Sequence, residues 1–384
     1  MEKKTKKAGK KSWMQMDLKD LNLGFLKKEK KLINSTKIET RKKVVAFDIG
    51  SSNIKVVEGM YYKNKLSINK CMEIPTPDDC VDDADIVNNT QLLSTVQYML
   101  EENRISAKDA ICTTNSSQII NRELVIPKVE EDEMETYVKY QMQQYLSINL
   151  DNYILQVTTL DEEVEGEEGK MKVRVISFPK KIVSAYYKFI NDLNLRPYVL
   201  DVTFNSVSKI LNMAGYVEKG ERENRVVAAI DMGAASINVN IYNKGILEFT
   251  RMVKSGGNEI DYMLHDKFYC TKSNYVSVIS EKANLQEDTF SDENKEIKDI
   301  VDECVEKIDK ILHFYKNKNG NIPIDKIYIY GETSRIKGMD RYIETKLNTA
   351  TVRINSIDNK NIVIKDNDAD IDTFLNVIGS VIRL

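Results

Sequence analysis

Val44-Val45-Ala46-Phe47-Asp48-Ile49-Gly50 and, 183 residues later, Val227-Ala228-Ala229-Ile230-Asp231-Met232-Gly233 carry one pattern, an apolar run closed by Asp-x-Gly. A run of this length and composition reads as a buried central strand that ends in a turn. The sequence after each copy also repeats. Asn53 to Tyr62 and Ser236 to Tyr242 read as second strands, Lys63-Asn64-Lys65 and Asn243-Lys244-Gly245 as turns, and Leu66 to Ile74 and Ile246 to Val253 as third strands. A single Asp-x-Gly carries almost no information. Two copies in matching hairpin contexts predict an internal duplication with two similar α/β domains.

The segments around the two copies are patterned differently. Residues 90–104 read as an amphipathic helix. Asn121 to Pro127 reads as a strand, and Glu130 to Tyr145 as a helix with Met134, Val138, Met142 and Tyr145 on one face. Tyr153 to Leu160 and Met171 to Phe178 read as paired strands joined by the acidic tip Asp161 to Glu168, and Lys181 to Leu193 as a helix. This is a small α/β subdomain inserted in the first half. After the second hairpin come helices at Asn258 to Phe268 and 293–315, the latter with Ile297, Val301, Cys304, Ile308, Ile311 and Tyr315 at helical spacing. A strand at Asp325 to Tyr330, a turn at Gly331-Glu332-Thr333-Ser334, a helix at Met339 to Leu347 and a closing helix at Asp372 to Leu384 complete the chain.

The 384 residues suit two or three packing units, and 42% apolar with 30% charged residues is the composition of a globular protein. No run is long and apolar enough to span a bilayer, and the N-terminus lacks a signal-peptide core, so a cytoplasmic location is expected. Five cysteines without CxxC spacing and two histidines, His265 and His313, disfavour zinc, a disulfide framework and Ser/His/Asp or Cys/His catalysis. Residues 1–43 hold 15 Lys/Arg against 5 Asp/Glu, a net of +10, so the remainder carries −13 within the total of −3. An acidic body does not suit nucleic acid. The basic extension has Met14, Leu18, Leu21 and Phe25 on one helical face, which suits either a weak membrane-surface contact by residues 1–26 or a solvated tail.

The paired turns have a chemistry. Gly50 is expected to supply a positive φ and close backbone approach, and successive amides across Gly50-Ser51-Ser52-Asn53 form an anion-binding nest. The Ser51 and Ser52 hydroxyls add donors and Lys55 a mobile positive charge. The opposite turn offers Gly233, Ala234, Ala235 and Ser236. Asp48 and Asp231 would face each other over the cleft and hold Mg²⁺ through its waters. Gly331, following a strand, permits close approach of a nucleotide, with Thr333 or Ser334 capping the next helix. Neither GxxxxGK[ST] nor GxGxxG is present. Asp201, where a strand meets a helix, is the candidate to position a nucleophile beside Asp231, and it reads equally well as a helix cap.

These residues resemble the actin, sugar-kinase and heat-shock-chaperone ATPase superfamily, with its duplicated, ribonuclease H-like two-domain α/β fold. Within it, the stretch from 43 to 384 resembles the PilM family of type IV pilus assembly proteins, related to the cell-division protein FtsA. The resemblance rests on Val45 to Lys55, Ala229 to Ser236, Thr250-Arg251 with Ser255-Gly256-Gly257-Asn258-Glu259-Ile260, Gly331 to Gly338, and Asn376-Val377-Ile378-Gly379-Ser380. Glu123 to Pro127 and Tyr140 to Tyr145 are similar to that family in particular. A lone Gly331 between Tyr330 and Glu332 departs from the family's run of adjacent glycines. The resemblance implies a basic extension at 1–42, then subdomain 1A at 43–116, the inserted 1C at 117–195, 1A again at 196–225, 2A at 226–258, 2B at 259–322, 2A again at 323–365 and a closing helix at 366–384. It implies ATP with Mg²⁺ in the cleft, Gly256, Gly257, Gly331, Glu332 and Thr333 near the nucleotide, and slow hydrolysis at most. It further implies a groove near 1A and 1C for the N-terminal cytoplasmic tail of a PilN-like inner-membrane protein. Other platform proteins or the assembly ATPase would be further partners. An FtsA-like division scaffold and a nucleotide-free scaffold are the alternatives.

Removing residues 1–40 is expected to leave the thermal unfolding midpoint unchanged. A marked fall in a melting experiment would instead show the extension packed on the body.

Overall fold

A computed structural model of the chain describes residues 41–164, 166–217, 226–270, 275–286, 291–366 and 368–383. The amphipathic stretch expected at residues 13–26 and the lysine run before it lie outside the described residues. The first half opens with strands β1 (Lys43–Ile49), β2 (Asn53–Tyr62) and β3 (Lys65–Pro75), the two-residue strands β4 (Val81–Asp82) and β5 (Asp85–Ile86), helix α1 (Asn89–Glu102) and strand β6 (Asp109–Thr114). An excursion follows through β7 (Ile120–Pro127), α2 (Glu131–Tyr145), β8 (Tyr153–Asp161), β9 (Lys170–Pro179) and α3 (Lys180–Asp192), and the chain returns in β10 (Arg196–Val202) and α4 (Thr203–Ala214). The second half runs β11 (Val226–Met232), β12 (Ile237–Asn243), β13 (Ile246–Val253), α5 (Gly257–Phe268), α6 (Tyr275–Lys282), α7 (Asp292–Lys318), β14 (Lys326–Tyr330), α8 (Met339–Leu347) and β15 (Thr351–Arg353). Last come β16 (Ile362–Ile364) and α9 (Ile371–Val381).

The duplication holds for five strands of each sheet, and β16 is an addition to the first. One sheet runs β10-β6-β1-β2-β3-β16 and the other β13-β12-β11-β14-β15. In both, an antiparallel three-strand meander is extended from its first strand by two parallel strands. Lys63 and Asn64 in one meander, and Lys244 and Gly245 in the other, all have positive φ. That is the two-residue hairpin chemistry matched to strand twist. β11 is buried along its whole length, as a central strand covered on both faces must be.

The larger core is built on the first half but takes in Val227, Ala229, Tyr242, Tyr328 and Tyr330 from the second sheet. The second half buries a further core around α7, and the excursion buries a third, small one around Ile126, Val138, Met142, Leu150, Met171, Val173 and Val175. α7 is the main cover of the second sheet. Ser291 caps its start, Asp292 and Glu293 fill its first turn and Lys316 and Lys318 its last, each matching the helix dipole.

Several expectations need correction. α3 buries Ile182, Val183, Tyr186, Phe189 and Ile190 in the first half's core, so the separate subdomain consists of β7, α2, β8 and β9, and its boundary falls near Pro179 instead of 195. Tyr145 is 74% exposed and does not share the buried face of α2. The chain rejoins the first half before residue 366, because β16 pairs with Leu66–Ile68 and Asn359 donates to the Met213 carbonyl. The closing helix stops at Val381. Strand β6 had no reading in the sequence, although Ala110-Ile111-Cys112 is a short apolar run of the right kind.

α4 and α9 cross beneath the cleft. A Cβ on Gly379 would lie 2.0 Å from the Ser206 carbonyl oxygen, so the two backbones touch where no side chain fits. Gly379→Val is expected to destabilise the protein by about 3 kcal/mol, since overpacked cores relax only partly. A lower unfolding midpoint in denaturant titration checks this.

Candidate functional site

The two acidic turns face one cleft of about 270 Å³, just below the ~300–1,000 Å³ range usual for small-molecule sites. Their geometry is duplicated atom for atom. The Gly50 amide donates to the Asn53 carbonyl at 3.0 Å and the Gly233 amide to the Ser236 carbonyl at 3.1 Å. Gly50 is not in the left-handed region, contrary to expectation. It is a glycine because a Cβ there would sit 2.9 Å from the Asn53 carbonyl oxygen. Among the described residues, the amides of Ser51, Ser52, Ala234 and Ala235 make no backbone hydrogen bond, as a nest for an anion requires.

Asp48 pairs in register with Lys55, and Asp231 with Asn238, the equivalent position of the second copy. Asp231 is buried and Asp48 partly so. Burial pushes Asp231 up to about 6, opposed by a hydrogen bond from Asn376, with the Asp48 charge adding to the rise. Burial also raises Asp48, against the pull of Lys55 and Asn376. The Asn376 amide donates to Asp231 Oδ2 at 2.8 Å. Asn376 sits in Phe374-Leu375-Asn376-Val377-Ile378, and a lone amide in an apolar helix is the signal that could have singled it out as a site residue.

Lys55 does not reach into open space. Its ammonium lies 2.9 Å from Glu332 Oε1 and 3.9 Å from Glu73 Oε1, and Asn53 Nδ2 donates to the same Glu332 oxygen at 2.7 Å. Burial alone would lower Lys55, but Glu332, Asp48 and Glu73 outweigh it and hold its pKa above the ordinary value. Glu332 is driven down to about 2, because Lys55, Glu73 and Asn53 together overcome the effect of its burial. Glu73 goes the other way, to about 7, through burial and a hydrogen bond to Glu332, with Lys55 opposing. In its protonated form Glu73 can donate to the Glu332 carboxylate.

Asp48, Gly50, Ser51, Ser52, Asn53, Lys55, Asp231, Gly233, Ala234, Ala235, Ser236, Gly331 and Glu332 all line this cleft. Asp201, Gly256, Gly257 and Thr333 do not. Asp201 is 3% exposed and accepts from Lys209 Nζ at 2.8 Å and from the Val202 amide, so it is a buried ion-pair partner that does not itself line the cleft, although Thr203, two residues on, does. Gly256 and Gly257 brace the second turn from behind. The amides of Gly257 and Asn258 donate to the carbonyls of Gly233 and Ala234, at 3.2 and 2.9 Å, which consumes the donors of the α5 N-terminus. Thr333 Oγ1 donates to the Gly233 carbonyl at 3.1 Å and Ser334 Oγ to the Gly331 carbonyl at 2.6 Å, and neither caps α8. Sequence reasoning missed further contacts across the cleft. Lys254 meets Asp83 at 3.3 Å, and Asn115 Nδ2 donates to Asn238 Oδ1 at 2.6 Å. These pairs join residues far apart in the chain, and no local pattern marks them.

Two carboxylates are fewer than a metal cage needs, and among the described residues no group of three or more His, Cys, Asp or Glu side chains could hold a metal. The donor set suits an ion that keeps most of its waters. Two sheets of one strand order, joined by crossing helices under paired phosphate-type turns, define the actin-like ATPase fold. A family model described as type IV pilus assembly protein PilM matches residues 46–373, and the chain belongs to that family. A solved PilM-PilN type IV pilus biogenesis complex superposes with a TM-score of 0.75 at 18% identity, covering 89% of this chain and 98% of that one. The ethanolamine utilization protein EutJ from Carboxydothermus hydrogenoformans gives 0.51 at 12% identity, over 96% and 97% of the two chains. Among the described residues no helix is long and apolar enough to cross a membrane.

The Glu73 proton gives a pH signature. Its native pKa, about 7, lies above the ordinary 4.5, so the folded state binds this proton more tightly than the unfolded chain. Its stabilising contribution is complete below the ordinary value and is lost as pH rises through about 7. Melting midpoints across this range are expected to fall for the native chain relative to Glu73→Gln, which lacks the titrating group. Parallel curves for the two would contradict this.

Proposed function

We propose that the chain is a nucleotide-binding platform protein of type IV pilus assembly, which holds ATP with Mg²⁺ in the cleft and docks the cytoplasmic tail of a PilN-like inner-membrane protein. The observation that carries the nucleotide half is the pair of superimposable turns, Gly50–Asn53 and Gly233–Ser236, with unspent amides on one cleft. Phosphate oxygens would take those amides and the Ser51 and Ser52 hydroxyls, Lys55 would supply charge, and Gly331 would let the nucleoside approach the second sheet. Asp48 and Asp231 would hold Mg²⁺ through water, and the ion would offset the repulsion between carboxylate and phosphate.

The partner half rests on family membership and on the small subdomain. Its sheet runs β7-β9-β8, so among the described residues β7 and β8 each have an unpaired edge on which an extended peptide can add as a strand. Tyr140 and Tyr145 on α2 are 64% and 74% exposed and offer apolar anchors. This reading places the protein in the cytoplasm, held at the inner face of the membrane through its partner, and it uses no nucleic acid. Hydrolysis would be slow, below about 1 s⁻¹, because Asp201 is locked to Lys209 and cannot position a water. The other platform proteins and the assembly ATPase are further partners of this reading.

Asp48→Ala and Asp231→Ala are each expected to weaken Mg·ATP binding about tenfold or more while the far-ultraviolet spectrum stays native, because both sit at turn ends. Calorimetric titration checks this, and unchanged affinity in both variants would remove the nucleotide assignment. Co-purification with the membrane protein encoded alongside, with and without ATP, tests the partner.

A further inference from the structure

We propose that Glu332 is a built-in competitor for the phosphate position, whose carboxylate occupies the Lys55 ammonium and the Asn53 amide until nucleotide displaces it. This rests on the cleft being a nucleotide site, as argued above.

The two donors stand on β2 in the first half, whereas Glu332 begins the turn after β14 in the second. One oxygen, Oε1, accepts from both, at 2.9 Å from Lys55 and 2.7 Å from Asn53. An ammonium and an amide converging on one anionic oxygen form the arrangement that a phosphate oxygen takes. The contact therefore resembles the ligand chemically and also pins the halves of the molecule together.

The turn that presents Glu332 has no room to retreat. Gly331 has φ of +90°, and a Cβ there would lie 2.7 Å from Asp231 Oδ1 and 2.8 Å from the Met232 carbonyl oxygen. Its amide donates to the Asp372 carbonyl at 3.1 Å. With the backbone held on these sides, rotation of the Glu332 side chain is the local movement that frees Lys55. Charge makes the competition consequential. The other lysine on the cleft wall, Lys254, is paired with Asp83 at 3.3 Å. Lys55 is thus the cation that an incoming phosphate must recruit, and Glu332 already neutralises it. Nucleotide affinity is then reduced by the fraction of molecules in which Glu332 remains in place.

The test is calorimetric titration of the full chain with a magnesium complex of a non-hydrolysable ATP analogue. The native chain is compared with Glu332→Gln, which keeps the side-chain shape without its charge, and with Glu332→Ala. Both variants are expected to bind on the order of tenfold more tightly, the scale set by freeing one charge-assisted contact. In a Lys55→Ala background the same changes are expected to give no gain, a non-additivity that a merely structural role for Glu332 would not produce. Binding by the variants where the native chain shows none would be the strongest support. Equal affinity in native and variant chains overturns the competitor while leaving the nucleotide site standing. Weaker binding shows that Glu332 holds the ligand and also overturns it. Absence of binding in every chain removes the nucleotide reading itself, and the competitor with it.

Discussion

Two carboxylates from opposite halves of the chain, the partly buried Asp48 and the buried Asp231, sit within reach of one amide, that of Asn376. Burying like charges near one another is costly unless dipoles and counter-charges offset it. The amide arrives on α9, the helix that returns from the second half to pack against β1, β2 and α4 of the first. The backbone contact at Gly379 and Ser206 sets how closely that helix can approach. The spacing of the turns across the cleft therefore depends on a helix crossing that lies beneath them.

The walls of the cleft divide their work. The unspent amides at Ser51, Ser52, Ala234 and Ala235 are generic anion donors, created by the turns alone. The second turn is stiffened from behind by α5, whose first amides hold its carbonyls, and by Thr333. The charged groups, by contrast, are engaged with one another. Lys55 with Glu332 and Lys254 with Asp83 cross from one half to the other. The cleft is thus preorganised in its backbone, and the two lysines on its wall are already paired with carboxylates. An anion that enters must displace a carboxylate to reach either ammonium.

The small subdomain is coupled to this frame through the end of β9, where Ile176 and Phe178 join the first half's core, and through one arginine. Arg174 on β9 donates to Glu123 on β7 and to the Leu247 carbonyl on β13, which links the excursion directly to the second half. A peptide that adds to this subdomain would act on a sheet already tethered across the molecule. Asp201 and Lys209 have a different part. Both are almost wholly buried, and they tie the end of β10 to α4. Sequence position alone made Asp201 look catalytic because a strand-to-helix junction is where such acids sit, but here its carboxylate is paired with Lys209, while Thr203 at the same junction lines the cleft.

The duplicated Asp-x-Gly hairpins, the excursion between them and nearly every long helix were legible in the sequence, because local periodicity reports which face is buried whatever the partner. The family resemblance followed from the same residues. Tertiary structure alone decided that α3 belongs to the first core, that β16 rejoins the first sheet, and that Gly256, Gly257 and Thr333 buttress the cleft from outside its wall. It also decided that Glu332, 277 residues from Lys55, would share the cleft with it. The physical reason is common to all of these. Patterning fixes what each segment buries, but contacts between distant segments depend on how whole sheets and helices are set against one another, which no local window contains.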